Sequence, residues 1–143
     1  MFPGDERLIR RLITQVAETA SIKPDEHPLV KLAAANKLGN FFSEHAVINY
    51  DAVGLDSRTI NGREELIQIA AAARANLQDA NIRLLDVYVQ IDPDKRSATA
   101  NVVASATING SKEPLIQEFK ITLKKFDRDW LITRADSVKT LDR

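Results

Sequence analysis

The 143-residue chain contains no cysteine. That excludes disulfides, thiolate zinc sites, iron–sulfur clusters and a cysteine nucleophile. Histidine occurs only at His27 and His45, so one chain cannot form a three-histidine metal site. Charge of one sign is also lacking: 20 Lys and Arg face 20 Asp and Glu, and the balance holds along the chain. Without a basic arm, nucleic acid is not an expected partner. The densest basic spot, Lys120, Lys124 and Lys125, reads as an exposed strand face. No apolar run approaches the roughly 20 residues that span a membrane. Charges at Asp5, Glu6, Arg7, Arg10 and Arg11 leave no uncharged stretch for a signal peptide. A cytoplasmic location is the expectation for the chain as it stands. There is no phosphate-binding glycine loop, serine nucleophile elbow or zinc motif, and neither cofactor nor metal is expected.

What is present has ordinary globular proportions, 44% hydrophobic and 28% charged residues. Such a chain reads as one domain over residues 1–143, burying roughly two-thirds of its unfolded surface. Leu8, Ile9, Leu12, Ile13, Val16, Ala17 and Ala20 recur at three- and four-residue steps, which predicts a helix over 5–20. Asp5 and Glu6 suit its positive end. Pro28 suits the first turn of a second helix, expected to run to about Phe42. Gly39 inside it suggests a close neighbour. A short strand is expected over 46–50, a loop with Gly54 over 51–57, a brief strand at Thr59 and Ile60, and a third helix from Gly62 to about Asn76.

Four long β-rich segments follow, at 82–92, 97–108, 115–126 and 130–140. Turn chemistry separates them at Pro93-Asp94-Lys95, Asn109-Gly110-Ser111 and Asp127-Arg128-Asp129, so they form an antiparallel meander. Phe119, Ile121 and Leu123 alternate with polar residues, as in a sheet covered on one face. Ala98, Ala100, Val102, Ala104, Ala106 and Ile108 make a strip of mostly small side chains. Either a helix packs closely there or a cavity remains.

The order of elements is α+β: three N-terminal helices packed on a strongly curved, mostly antiparallel sheet, a cone-shaped barrel. Three stretches carry a resemblance. They are Phe41-Phe42-Ser43-Glu44-His45-Ala46-Val47-Ile48-Asn49-Tyr50, Ile60-Asn61-Gly62-Arg63-Glu64-Glu65-Leu66 and Asp129-Trp130-Leu131-Ile132. In this order they resemble the nuclear-transport-factor-2-like superfamily over nearly the whole chain. The resemblance implies a cone with an apolar pocket and a homodimer through the outer sheet face. It implies no single function, because isomerases, dehydratases, polyketide cyclases, epoxide hydrolases and adaptors share the superfamily. The position matching the isomerases' catalytic aspartate is Tyr50, with Asp51 one residue later and so on the other face. The Asp–Arg–Asp set of epoxide hydrolases has no match, and neither histidine lies on a late strand, as dehydratase chemistry would need.

Five residues are candidates for a ligand pocket: Tyr50, Trp130, Arg134, Asp136 and Ala104. Catalytic residues stay unassigned. On an uninterrupted last strand, Trp130, Ile132, Arg134, Asp136 and Val138 share one face and Leu131, Thr133, Ala135 and Ser137 the other. If the first set faces the cone, Arg134 could orient a carboxylate and Asp136 could act as a base with a raised pKa. The alternative is a structural ion pair. Tyr50 could hold a ligand oxygen or be a core phenol with a satisfied hydroxyl. Tyr88 reads as an outer-face residue of a dimer interface. His27 and His45 flank the second helix, roughly 20 Å apart, too far to share a metal. The leading expectation is a non-catalytic domain that binds a small apolar ligand or serves as an accessory module. The alternative is an isomerase, dehydratase or hydrolase acting on an apolar carbonyl or epoxide.

Overall fold

The computed structural model describes residues 4–51 and 57–138. Helix α1 (Asp5–Ala20) forms where its apolar stripe predicts, and Ile9, Ile13 and Ala17 on that stripe are buried. Helix α2 (Pro28–Gly39) starts at its proline. The His27 ring Nδ1 caps it by accepting the Leu29 N–H at 3.1 Å. This satisfies one of the donors that a helix start leaves open.

Helix α2 ends three residues short of the expected Phe42. Gly39 lies so close to Ile67 that a Cβ there would sit 2.5 Å from the Ile67 Cγ1. Strand β1 (Phe42–Tyr50) begins at once, because Phe42 enters the core and its carbonyl accepts two hydrogen bonds from the Arg63 guanidinium. The apolar Phe41-Phe42 pair thus belongs to a strand entry rather than a helix face. Strand β2 is Arg58–Asn61; of the expected loop before it, residues 52–56 lie outside the described residues.

Helix α3 (Arg63–Asn76) is launched by the Gly-Arg-Glu-Glu run, and each residue type has a local reason. Gly62 adopts φ 91° and donates its N–H to the Ala46 carbonyl, a conformation that favours glycine. The Glu65 carboxylate reaches back to accept the Asn61 N–H, one residue before the helix cap. Arg63 reaches back to β1.

The meander is β3 (Ala80–Ile91), β4 (Ser97–Ile108), β5 (Leu115–Phe126) and β6 (Asp129–Val138). The sheet order is β2-β1-β6-β5-β4-β3, with only β1–β6 parallel. The curved sheet stays open, with β2 and β3 as edges, rather than closing into a barrel. Bulges help to bend it: Leu85 in β3 and Thr133 in β6 lack a Cα partner, and β1 shifts register between Phe42 and Val47. The β3 edge is partly sealed. Ile22 bridges Ala80, Ser21 Oγ accepts the Ile82 N–H, and Arg10 donates to the Val87 carbonyl. Such blocking discourages pairing with a foreign strand.

The core lies between α1 and the inner sheet face. Ile9 and Ile13 pack in one cluster with Ala98, Ala100, Val102, Leu123, Trp130 and Ile132.

Candidate functional site

The strip of small residues on β4 divides in two. Ala98, Ala100 and Val102 are buried under the helical layer, whereas Ala104, Ala106 and Ile108 remain partly open. The register carries this division across the sheet. Val102 pairs with Phe119, Ala104 with Gln117 and with Leu84 on the other side, and Phe119 with Ser137. Leu84, Phe119, Ile48 and, from α3, Ile69 border the core but are only partly buried. The helices therefore fill one half of the inner face and leave the other half accessible along an apolar wall.

Tyr50 closes that wall at the end of β1. Its ring stacks on Phe119 with centroids 6.4 Å apart. Its hydroxyl has no hydrogen-bond partner among the described residues, unlike a satisfied core phenol. Beside it, Ser137 Oγ accepts the Asp51 N–H at 2.8 Å. A cleft of about 300 Å³ opens at this corner, lined by Tyr50, Asp51, Arg58, Thr59, Asp136 and Ser137 among others.

The bulge at Thr133 changes which face each β6 residue takes. Trp130 and Ile132 point inward, paired with Lys125 and Leu123; beyond the bulge the inward residue is Ala135, opposite Ile121. Arg134 and Asp136 instead take the outer face. The expectation of one uninterrupted alternation over 130–138 fails at this residue. Arg134 is half exposed, and its Nε donates to Asp136 Oδ2 at 2.9 Å. The other Asp136 oxygen accepts from Asn49 Nδ2 at 2.8 Å, and Thr59 donates to Asn49 Oδ1. The Arg134 hydrogen bond, followed by that from Asn49, outweighs the opposing effect of burial and holds the Asp136 carboxyl below its ordinary range. A carboxylate held ionised in this way is a weak base, the opposite of the raised pKa that proton abstraction needs.

Of the five sequence candidates, the fold thus brings Tyr50 and Asp136 to one cleft, with Arg134 bonded to Asp136. Ala104 lies on the inner wall. Trp130 sits at the other end of β6, 4% exposed, with its indole N–H donated to Asp5. His27 is occupied as a cap and His45 is exposed on β1. Among the described residues no helix is long and apolar enough to cross a membrane.

No family model matches the chain, and no curated protein sequence is significantly similar to it. Solved structures are. A domain of unknown function with a cystatin-like fold, from Nostoc punctiforme, superposes with a TM-score of 0.73 at 17% identity, covering 99% of this chain and 81% of its own. A nuclear-transport-factor-2-like protein of unknown function from Pseudomonas putida gives 0.73 at 12% identity, over 96% and 87%. A protein provisionally named a scytalone dehydratase, from Novosphingobium aromaticivorans, gives 0.72 at 15% identity, over 96% and 85%. The chain has the nuclear-transport-factor-2-like fold.

Within this nuclear-transport-factor-2-like fold, the one buried charged side chain among the described residues is one that sequence patterning passes over. Arg74, near the end of α3, is 4% exposed. Its Nη1 donates to the Thr19 carbonyl at 2.8 Å, and its Nη2 to the Ser21 carbonyl at 2.9 Å and to both Glu26 oxygens at 3.1 and 2.8 Å. Arg74 thus ties α3 to the α1–α2 connection. In the sequence it looks like a helix-terminal arginine, one of the commonest solvent-facing residues.

Proposed function

We propose that this protein is a non-catalytic binding domain whose open half-cone takes a small, mostly apolar molecule. The observation that carries the reading is the inward apolar wall, Leu84, Phe119, Ile48 and Ile69, left partly exposed beside a tyrosine hydroxyl with no partner among the described residues. A ligand with a hydrocarbon body and one oxygen would bury the wall and bond the Tyr50 hydroxyl. Tyr50 and Ala104 face this ligand, Arg134 and Asp136 stiffen the rim from outside, and Trp130 belongs to the filled end. The lowered Asp136 carboxyl weighs against the enzyme alternative, although one structural neighbour bears a dehydratase name.

The test uses N-phenyl-1-naphthylamine, an uncharged apolar fluorophore, as probe. Wild-type protein should enhance its fluorescence saturably, and Ala104→Phe, which fills the wall, should abolish the enhancement with an unchanged far-UV spectrum. Unchanged probe binding by a folded Ala104→Phe variant would remove the open half-cone as the site.

The outer sheet face favours a second role, assembly as a homodimer. Leu85 and Tyr88 on β3 and Ile116 on β5 are each more than half exposed. In this reading a Tyr88→Glu variant elutes as a monomer in light-scattering chromatography while the wild type elutes as a dimer. Equal masses for the two proteins would remove this face as the interface.

A further inference from the structure

A second groove lies away from the half-cone, between the flank of α1 and the β5–β6 turn, with a volume of about 220 Å³. Leu8 and Leu12 of α1 and Trp130 give it an apolar lining, which Arg11 of α1 and Arg128 of the β5–β6 turn complete. The lining is stiff, because the Trp130 indole N–H is fixed on Asp5 Oδ1 at 3.1 Å.

The lining carries two guanidiniums, Arg11 and Arg128, against one carboxylate. Arg11 and Arg128 are exposed, and neither makes an ion pair or hydrogen bond with a described residue. In the first turn of α1, Asp5 is engaged with Lys125 and Trp130, and Glu6 with Arg10. Asp129 is the one acidic residue of the lining. Helix stability does not account for the arrangement. Arg7 and Arg11 are like charges four residues apart, and Arg7 lies in the first turn of α1, where the dipole favours anions.

We propose that this groove binds the carboxylate end of a short apolar acid, with the hydrocarbon along Leu8, Leu12 and Trp130 and the carboxylate between Arg11 and Arg128. A guanidinium matches a carboxylate in planar, two-bond geometry, and a pair flanking an apolar channel selects an acid over an alcohol of the same length. At about 30 Å³ per water-sized group, the groove holds a chain of about seven such groups. Octanoate is the fitting probe.

Trp130 is the only tryptophan in the chain, so its emission reports directly on the groove. Octanoate should change that emission saturably, with a dissociation constant on the order of 0.1–1 mM. Arg11→Gln and Arg128→Gln should each weaken binding about tenfold. Octan-1-ol should bind at least tenfold more weakly than octanoate. Ala104→Phe, which fills the half-cone, should leave octanoate binding unchanged. Equal binding of alcohol and acid, or unchanged affinity in both arginine variants, would overturn the proposal. Loss of octanoate binding in Ala104→Phe would move the site to the half-cone and overturn it equally.

Discussion

Replacing Arg74 by methionine tests the argument that a buried arginine locks the three helices together. Methionine keeps much of the volume and the helix propensity of α3 but removes every donor. The Thr19 and Ser21 carbonyls each lose a hydrogen bond, and the Glu26 carboxylate, whose side chain is 8% exposed, keeps only the Lys23 N–H. Breaking one half of a buried pair typically costs about 3–5 kcal/mol, because the remaining charge is stranded. A domain of this size has about 5–15 kcal/mol in total, so the melting temperature should drop by about 10–15 °C. Urea unfolding gives the free energy directly. Changing Glu26 to methionine as well should recover about 2 kcal/mol of the loss, since removing both partners leaves no stranded charge. The pH dependence supplies a sign. Burial alone would raise the Glu26 carboxyl, but the Lys23 N–H and Arg74 outweigh it and the carboxyl is lowered. Its contribution is therefore present above the unfolded value and lost as pH falls through the folded one. The gap between wild type and Arg74→Met should narrow below about pH 4. A loss under about 1 kcal/mol, or additive single variants, would refute the latch.

Two further perturbations probe the other end of α1 and the α2–α3 contact. Asp5→Ala removes the partner of Lys125 and Trp130 and should cost about 1–2 kcal/mol in urea melts. The Trp130 emission should shift to longer wavelength. The Trp130 and Lys125 hydrogen bonds lower the Asp5 carboxyl, so the wild type should lose this advantage on acidification; an advantage that grew with acid would contradict the assignment. Gly39→Val should destabilise by about 2 kcal/mol or more, because even a Cβ meets the Ile67 side chain at 2.5 Å. The double variant Gly39→Val with Ile67→Ala should recover part of that loss, and no recovery would show that the contact is not the cause.

The features legible in the sequence share a short range. The alternation of Phe119, Ile121 and Leu123 marks the inner face of β5, and the stripe from Ile9 to Ala17 marks the buried side of α1, because each period spans only a few residues. The Gly62-Arg63-Glu64-Glu65 run marks the entry to α3 for the same reason: Gly62 sets its own backbone conformation, and Glu65 reaches back four residues to the Asn61 N–H.

What the sequence hid depends on partners far along it. Thr133 is a bulge only because Arg134 pairs with Thr122 and Ile132 with Leu123. Nothing in Ile132-Thr133-Arg134 itself breaks the period, so Arg134 and Asp136 lie outside where unbroken alternation allowed either face. Phe42 is an equally good helix or strand residue until the carbonyl it offers to Arg63 settles the matter. Arg74 finds its partners 48 to 55 residues away, and an arginine carries no local sign of being buried. The same reasoning bears on the site. An open half-cone is the part of the inner face that the helices fail to reach, a property of how α1 and α3 sit on the sheet. Ala104 and Ala98 are the same residue three pleat repeats apart; only the helix above one of them makes it core and the other wall.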